Sequence, residues 1–359
     1  MKNDPSHRLF AVLLVASALA IPAVAGQDSK AAGAATPAKA APTGYHVQKT
    51  LELGGEGGWD YLVVEPESAR LFVSRSTHVM VVDLASGKVA GDIPDTAGVH
   101  GIALAPELNR GFTSNGKANT ATIFDLKTLA ALGTVKTGEN PDAILYDPST
   151  KRVFTFNGRS SDTTVFDAAT GEVLHTIALG GKPEFAVSDG AGKVFVNIED
   201  KSEVVELDAK ELKELARWPI TPGEEPSGLA IDVKQKRLFS VCGNGMMVVL
   251  DCASGAILGT PTIGKGVDAA AFDPAHGLAF ASNGDGTLTV VHEDDPKTFS
   301  VLENATTARG ARTMALDTKT HLVYLPAAKY EDAPEPKAGE RRARPKMVAG
   351  SFKILVLGK

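Results

Sequence analysis

The sequence predicts an all-β protein, a seven-bladed β-propeller whose last blade is closed by a strand from the N-terminal side. Three observations carry that expectation. A unit of four short apolar runs separated by turn residues recurs seven times, at steps of 41–44 residues. Within each unit the runs alternate apolar and polar residues over strand-like lengths and break at Gly, Pro, Asn and Asp. The final unit stops one strand short, while a strand of matching sequence stands ahead of the first unit.

The units begin at Trp59, His100, Pro141, Pro183, Pro226, Val267 and Ala311. Each opens on a first strand such as "IALAP", "AILYDP" or "AAFDP". The second strand carries an aromatic near its start, as in "LFVSR", "GFTSN", "VFTFN", "LFSVC" and "AFASN". Phe72, Phe112, Phe154, Phe195, Phe239, Phe280 and Tyr324 thus recur at one position, which predicts packing between neighbouring sheets. The pairs Asn115-Gly116, Asn157-Gly158 and Asn283-Gly284 predict hairpin turns in which the pair supplies positive φ. A third strand ends in an acid at Asp83, Asp125, Asp167, Asp208 and Asp251, and a Ser/Thr-Gly turn often leads to the fourth. After "FKILVLG" no fourth strand remains, but "KTLELGG" at Lys49–Gly55 matches "HTIALGG", the fourth strand of the third unit. Pairing the two would close the ring and remove an exposed sheet edge.

Residues 1–25 read as a secretory signal peptide: Lys2 and Arg8, a short apolar run, then "AVA" before Gly26. The apolar run is shorter than the roughly 20 residues a bilayer span needs, so no transmembrane segment is expected in the mature chain. Residues 26–44 read as an Ala/Pro-rich flexible linker, and 45–359 as the propeller. The periplasm or the exterior is the expected location, with a monomer the expected state. Losing the leader makes the chain one charge more negative than the full sequence's −6, which opposes general attraction to nucleic acid. The two cysteines, Cys242 and Cys252, flank a hairpin in a register that holds them too far apart to bridge, so both are expected free and buried.

The aromatic–aliphatic–Ser/Thr–Asn pattern of the second strands, with the following "DP" and "SG" signals, resembles the YVTN-repeat (YncE-like) family of secreted seven-bladed propellers over Tyr45–Lys359. The resemblance implies an exported propeller in a family whose biochemical roles are mostly unassigned.

No Gly-x-Ser-x-Gly, His-Glu-x-x-His, Cys-x-x-Cys or phosphate-loop motif occurs. "HEDDP" at His292–Pro296 reads as a solvated turn. One constellation stands out. The residues entering the first strands ring the channel mouth, and among them Asp60, His100, Asp142, Glu184, Asp268 and Arg312 are ionisable where packing needs no charge. A hydrated, Arg-balanced rim has the same composition. The insertion Pro326–Gly350 falls on the same face, and its Arg341, Arg342 and Arg344 are candidates for contact with a polyanion.

These readings favour a non-enzymatic binding or scaffold protein recognising a small molecule or protein through the channel face. No cofactor is expected, Ca2+ or another divalent cation at the same ring being the exception. The alternatives are a metal-dependent lactonase- or hydrolase-like enzyme, or a quinoprotein-dehydrogenase-like one, and then a nucleic-acid binder through the Arg-rich insertion. No catalytic residue is assigned.

Overall fold

A computed structural model describes residues 42–331 and 346–359. The expected leader, most of the linker, and Arg341, Arg342 and Arg344 lie outside the described residues.

Short amphipathic runs with a turn every few residues cannot bury both faces as isolated hairpins, so they assemble as sheets stacked around an axis. Seven four-stranded antiparallel sheets result. Six are continuous in sequence. In the first, Leu62–Glu65, Arg70–Ser74, Val79–Asp83 and Lys88–Ile93 run from the innermost strand outward. The seventh is composite: Ala315–Asp317, Leu322–Ala327 and Lys353–Gly358, with His46–Glu52 as its outer strand. The predicted closure is present, with Thr50 opposite Leu355 and Leu51 opposite Ile354. The first strand of each blade packs against the first strands of its neighbours, and Leu62–Glu65 touches both Val99–Ala105 and Ala315–Asp317, so the ring is shut.

The recurring aromatics occupy the space between sheets, none more than 4% exposed. The acids ending the third strands have a local task. Asp125 Oδ1 accepts the amides of Lys127 and Thr128 at 3.0 and 2.8 Å, and Asp83, Asp167, Asp208 and Asp251 fold their turns in the same way. A second device recurs between blades. Arg70, Arg110 and Arg152, each opening a second strand, donate to the carbonyls of Leu126, Ala168 and Ala209 on the next blade.

The Asn-Gly expectation is corrected. Asn115, Asn157 and Asn283 end their strands, are at most 1% exposed, and work through their side chains. Asn115 Nδ2 donates to Thr122 Oγ1 at 2.8 Å and Asn283 Nδ2 to Thr289 Oγ1 at 2.9 Å, tying second strand to third. Positive φ falls later in these turns, at Asn119 (54°), Ser161 (56°) and Gly286 (98°). The "HEDDP" expectation also changes. His292 and Glu293 lie within a long strand, Thr287–Asp295, and Glu293 faces Arg237 of the blade before at 3.8 Å.

Both cysteines are free and buried. Cys242 lies opposite Met246, whereas Cys252 follows the Asp251–Arg237 pair at the other end of the hairpin. Burial pushes both thiols up to about 12. We expect two alkylated thiols in unreduced, unfolded protein and slow labelling in the native state. A Cys242–Cys252 cross-linked peptide in the mass spectrum would contradict this register.

Candidate functional site at the channel mouth

Five of the seven first strands open with a buried residue and then one that faces the channel, because alternate residues of a strand point to opposite sides. Val99, Pro141, Pro183, Pro226 and Val267 are buried, and His100, Asp142, Glu184, Ser227 and Asp268 follow them at the rim. Asp60 and Arg312 hold the same place just ahead of Leu62–Glu65 and Ala315–Asp317. The structure therefore brings all six sequence-derived candidates to one rim, and it sorts them into three groups.

The first group is Asp60, His100 and Asp142, from three successive blades. His100 Nδ1 lies 2.6 Å from Asp60 Oδ2 and 3.8 Å from Asp142 Oδ1. Gly116 makes room for this ring, since a Cβ there would stand 2.8 Å from His100 Nε2. Burial opposes the imidazolium, but the bond to Asp60 and the charges of Asp142, Asp60 and Glu184 outweigh it, and the His100 pKa is raised. Asp142 is raised to about 6, chiefly by burial, with His100 pulling the other way.

The second group is Glu184 with Lys182 and Glu199. Lys182 Nζ is shared by both carboxylates. One ammonium cannot offset two acids, so Lys182 is held firmly protonated while burial and the Asp142 charge raise Glu184 to about 8. The third is Asp268, 3.3 Å from an Arg312 guanidinium whose side chain is 57% exposed. Burial raises Asp268 to about 7 despite that partner. Arg312 balances one acid rather than the whole rim.

Tyr61, one residue beyond the ring position, had no sequence signal beyond its neighbourhood. It is 8% exposed and its ring centroid lies 5.2 Å from that of Phe185, so blades 1 and 4 meet beneath the mouth. Burial, reinforced by Asp142, Asp60, Glu184 and Asp268, pushes its phenol well above the ordinary value. Lys182 and Glu199 were also missed. Lys182 precedes its ring residue by two, so strand alternation alone could have placed it on the same side. Glu199 follows a second strand and carries no comparable signal.

A separate cavity lies away from this mouth. It occupies about 500 Å3 of the channel and is lined by first-strand apolar residues including Leu104, Ile144, Phe185, Val187 and Ile231. Charge therefore crowds the rim, while this cavity is lined mainly by apolar residues, with Ser188 and Asp189 as its polar exceptions. Pro326 and Ala327 belong to the strand Leu322–Ala327, paired with Ile354 and Lys353, so the insertion begins two residues later than expected, and its stem stands on the rim's side. Tyr330 pairs with Met347 in a short bridge, and its ring lies 6.3 Å from that of Trp59.

These features define the protein as a seven-bladed β-propeller with an acidic channel mouth. No protein-family model and no curated protein matches the sequence. Among solved structures, the WD40 repeats of RRP9 superpose with a TM-score of 0.71 at 12% identity, over 89% of this chain and 99% of that one. U3-55K gives 0.70 at 11% identity, over 88% and 99%. A chain of Kuenenia stuttgartiensis hydrazine synthase gives 0.68 at 14%, over 78% and 95%. Such likeness shows the fold alone. No helix among the described residues is long and apolar enough to cross a membrane.

Proposed function

We propose that this chain is an exported binding propeller of the YVTN-repeat type that recognises a cation, or the cationic group of a larger ligand, at its channel mouth. The carrying observation is the excess of half-buried acid. Among the described residues, Asp60, Asp142, Glu184, Glu199 and Asp268 pair with His100, Lys182 and Arg312 as their positive partners, five acids to three. Three of these acids sit at about 6, 7 and 8, so each is held back from ionising by its surroundings. A ligand that supplies positive charge relieves that cost, whereas packing alone would be served by apolar residues. WD40-type neighbours and the lack of any motif for covalent catalysis support binding or scaffolding over turnover. The leader sequence supports export.

The sign of the pH dependence follows. Cation binding competes with protons on Asp142, Asp268 and Glu184, so affinity should rise from pH 6 to pH 8 and protons should be released on binding. Thermal shifts of the full-length mature chain with Ca2+, Mg2+ and spermidine, set against citrate, test this. Cations should stabilise, more at pH 8 than at pH 6. Stabilisation by citrate alone, or the opposite pH trend, would reject the reading.

A metal-dependent catalytic reading is favoured by one observation: the donor atoms of Asp60, His100 and Asp142 lie within 4.8 Å of one another. Ca2+-dependent hydrolysis of a lactone or ester by the wild type, lost in Asp142→Asn, would establish it.

A further inference from the structure

The opposite end of the propeller carries a second cluster. Asp268 opens the strand Val267–Asp273 at the mouth, and Asp273 closes it on the far face, about 17 Å away at the rise of a strand. Asp273 has a fully buried side chain, and its Oδ2 lies 2.7 Å from His276 Nδ1 and 3.0 Å from His321 Nδ1. The two imidazoles meet edge to face, with centroids 4.5 Å apart. His276 comes from the Asp273–Leu278 turn of blade 6 and His321 from the Asp317–Leu322 turn of blade 7. Despite its proximity to Asp273, His321 Nδ1 is buried and has no hydrogen-bond partner among the described residues.

Sister blades show what this position does when it is only a turn. Asp147 Oδ2 accepts from the Ser149 hydroxyl at 2.7 Å and the Thr150 hydroxyl at 2.6 Å, and Asp317 Oδ2 from the Thr320 hydroxyl at 2.7 Å. In blade 6 the residue matching Thr150 and Thr320 is His276. The turn itself is already made, because Asp273 Oδ1 accepts the Ala275 amide at 3.1 Å. His321 holds a left-handed position, φ 61°, where other blades place Asn109 (52°), Lys151 (57°) and Lys236 (57°). Tyr45 anchors that turn by donating from its hydroxyl to the His321 carbonyl at 3.1 Å. Two imidazoles thus stand where a hydroxyl and an Asn or Lys satisfy the fold elsewhere.

We propose that Asp273, His276 and His321 form a binding site for a divalent first-row transition metal, distinct from the acidic mouth. Two imidazole nitrogens and one carboxylate oxygen suit Zn2+ or Cu2+ and disfavour Ca2+ and Mg2+, which take oxygen donors. Metal–donor bonds near 2.0 Å in a tetrahedral arrangement put donors roughly 3.3 Å apart. The present separations of 2.7 and 3.0 Å need only open by a few tenths of an ångström. The metal would give His321 Nδ1 the partner it lacks, and a fourth position would be left for water. Bridging two adjacent blades next to the closing strand, it would brace the ring at its seam.

Equilibrium dialysis of the untagged mature chain with Zn2+ alone tests the site, with Co2+ absorption as a spectroscopic readout. His276→Thr with His321→Asn copies the residues of sister blades, so metal-free stability should hold. His321→Asn alone is the companion variant should the pair fold poorly. The wild type should bind one Zn2+, and either variant should bind at least tenfold more weakly and lose the tetrahedral Co2+ bands. Asp60→Asn with Asp142→Asn should keep Zn2+ binding, which separates this site from the mouth. No Zn2+ binding by the wild type, unchanged binding in the His variants, or loss only in the mouth variant would each overturn the proposal.

Discussion

Deleting residues 26–54 is expected to unfold the ring or drive it to aggregate, whereas deleting 26–44 should move the melting temperature by no more than about 3 °C. The longer deletion removes the outer strand His46–Glu52 and its pairing to Lys353–Gly358. It also removes Tyr45 and Leu51, each 4% exposed, whose burial contributes roughly 1.5–3 kcal/mol apiece. What remains is an unpaired edge reading "KILVLG", the kind of flat apolar strand that recruits other chains. The shorter deletion costs little more than the contacts of Thr43 and Gly44 with Glu303.

Arg75 makes the longer loss worse. Its side chain is fully buried with no acidic partner among the described residues, and it donates to the carbonyls of Gly54, Glu56, Gly57 and Gly58. Its guanidinium lies 3.7 Å over the Phe352 ring, and burial lowers its pKa to about 10. That loop is the bridge from the closing strand to blade 1, so the deletion removes the Gly54 acceptor and leaves the other three carbonyls on a free chain end, weakening the satisfaction of a buried charge. Equal melting temperatures for the two truncations would refute closure as a source of stability.

The fold was legible because a propeller repeats one local solution seven times. Alternation, turn residues and the inter-sheet aromatics all recur in register, and the displaced strand betrays itself as a copy of its sisters. Residues that depart from the repeat were less legible. Arg75 stands where blades 2, 3 and 6 have Asn115, Asn157 and Asn283, yet nothing local shows that it reaches the carbonyls of a preceding loop. Those asparagines were misread in the other direction. An Asn-Gly pair has a strong turn meaning, but here the side-chain amide bonds across the hairpin and the glycine beside Asn115 admits the His100 ring. The rim residues could be named from strand phase alone. Their grouping could not, since it depends on which way long side chains lean: Lys182 toward Glu184 and Glu199, Arg312 toward Asp268. The His276–His321 pair joins turns of two blades and carries no motif spacing at all.

Replacing Asp142 with Asn and Glu184 with Gln together is expected to stabilise the protein by on the order of 3 kcal/mol at pH 8 and by much less at pH 5. The sign follows from linkage. Both acids have folded-state values raised above those of an unfolded chain, Asp142 to about 6 and Glu184 to about 8. The folded state therefore holds extra protons over that range, and its stability falls as pH rises through the raised values. Neutral amides have no proton to lose, so the variant's stability should be flatter with pH and the two curves should diverge upward from about pH 5. The gain is smaller than the two shifts summed, because part of the Glu184 shift comes from the Asp142 charge that the variant also removes, and Lys182 keeps Glu199 as its partner. This stabilisation tests the electrostatics of the mouth but leaves its purpose open, since a hydrated rim would respond in the same way. Cation response decides that point. If the mouth takes a cation, the variant should lose most of the Ca2+ or spermidine stabilisation seen in the wild type at pH 8, while binding Zn2+ at the far face as before. A variant that is more stable yet responds to cations as the wild type does would reduce the ring to a solvated rim, and the proposed mouth site would have to be abandoned.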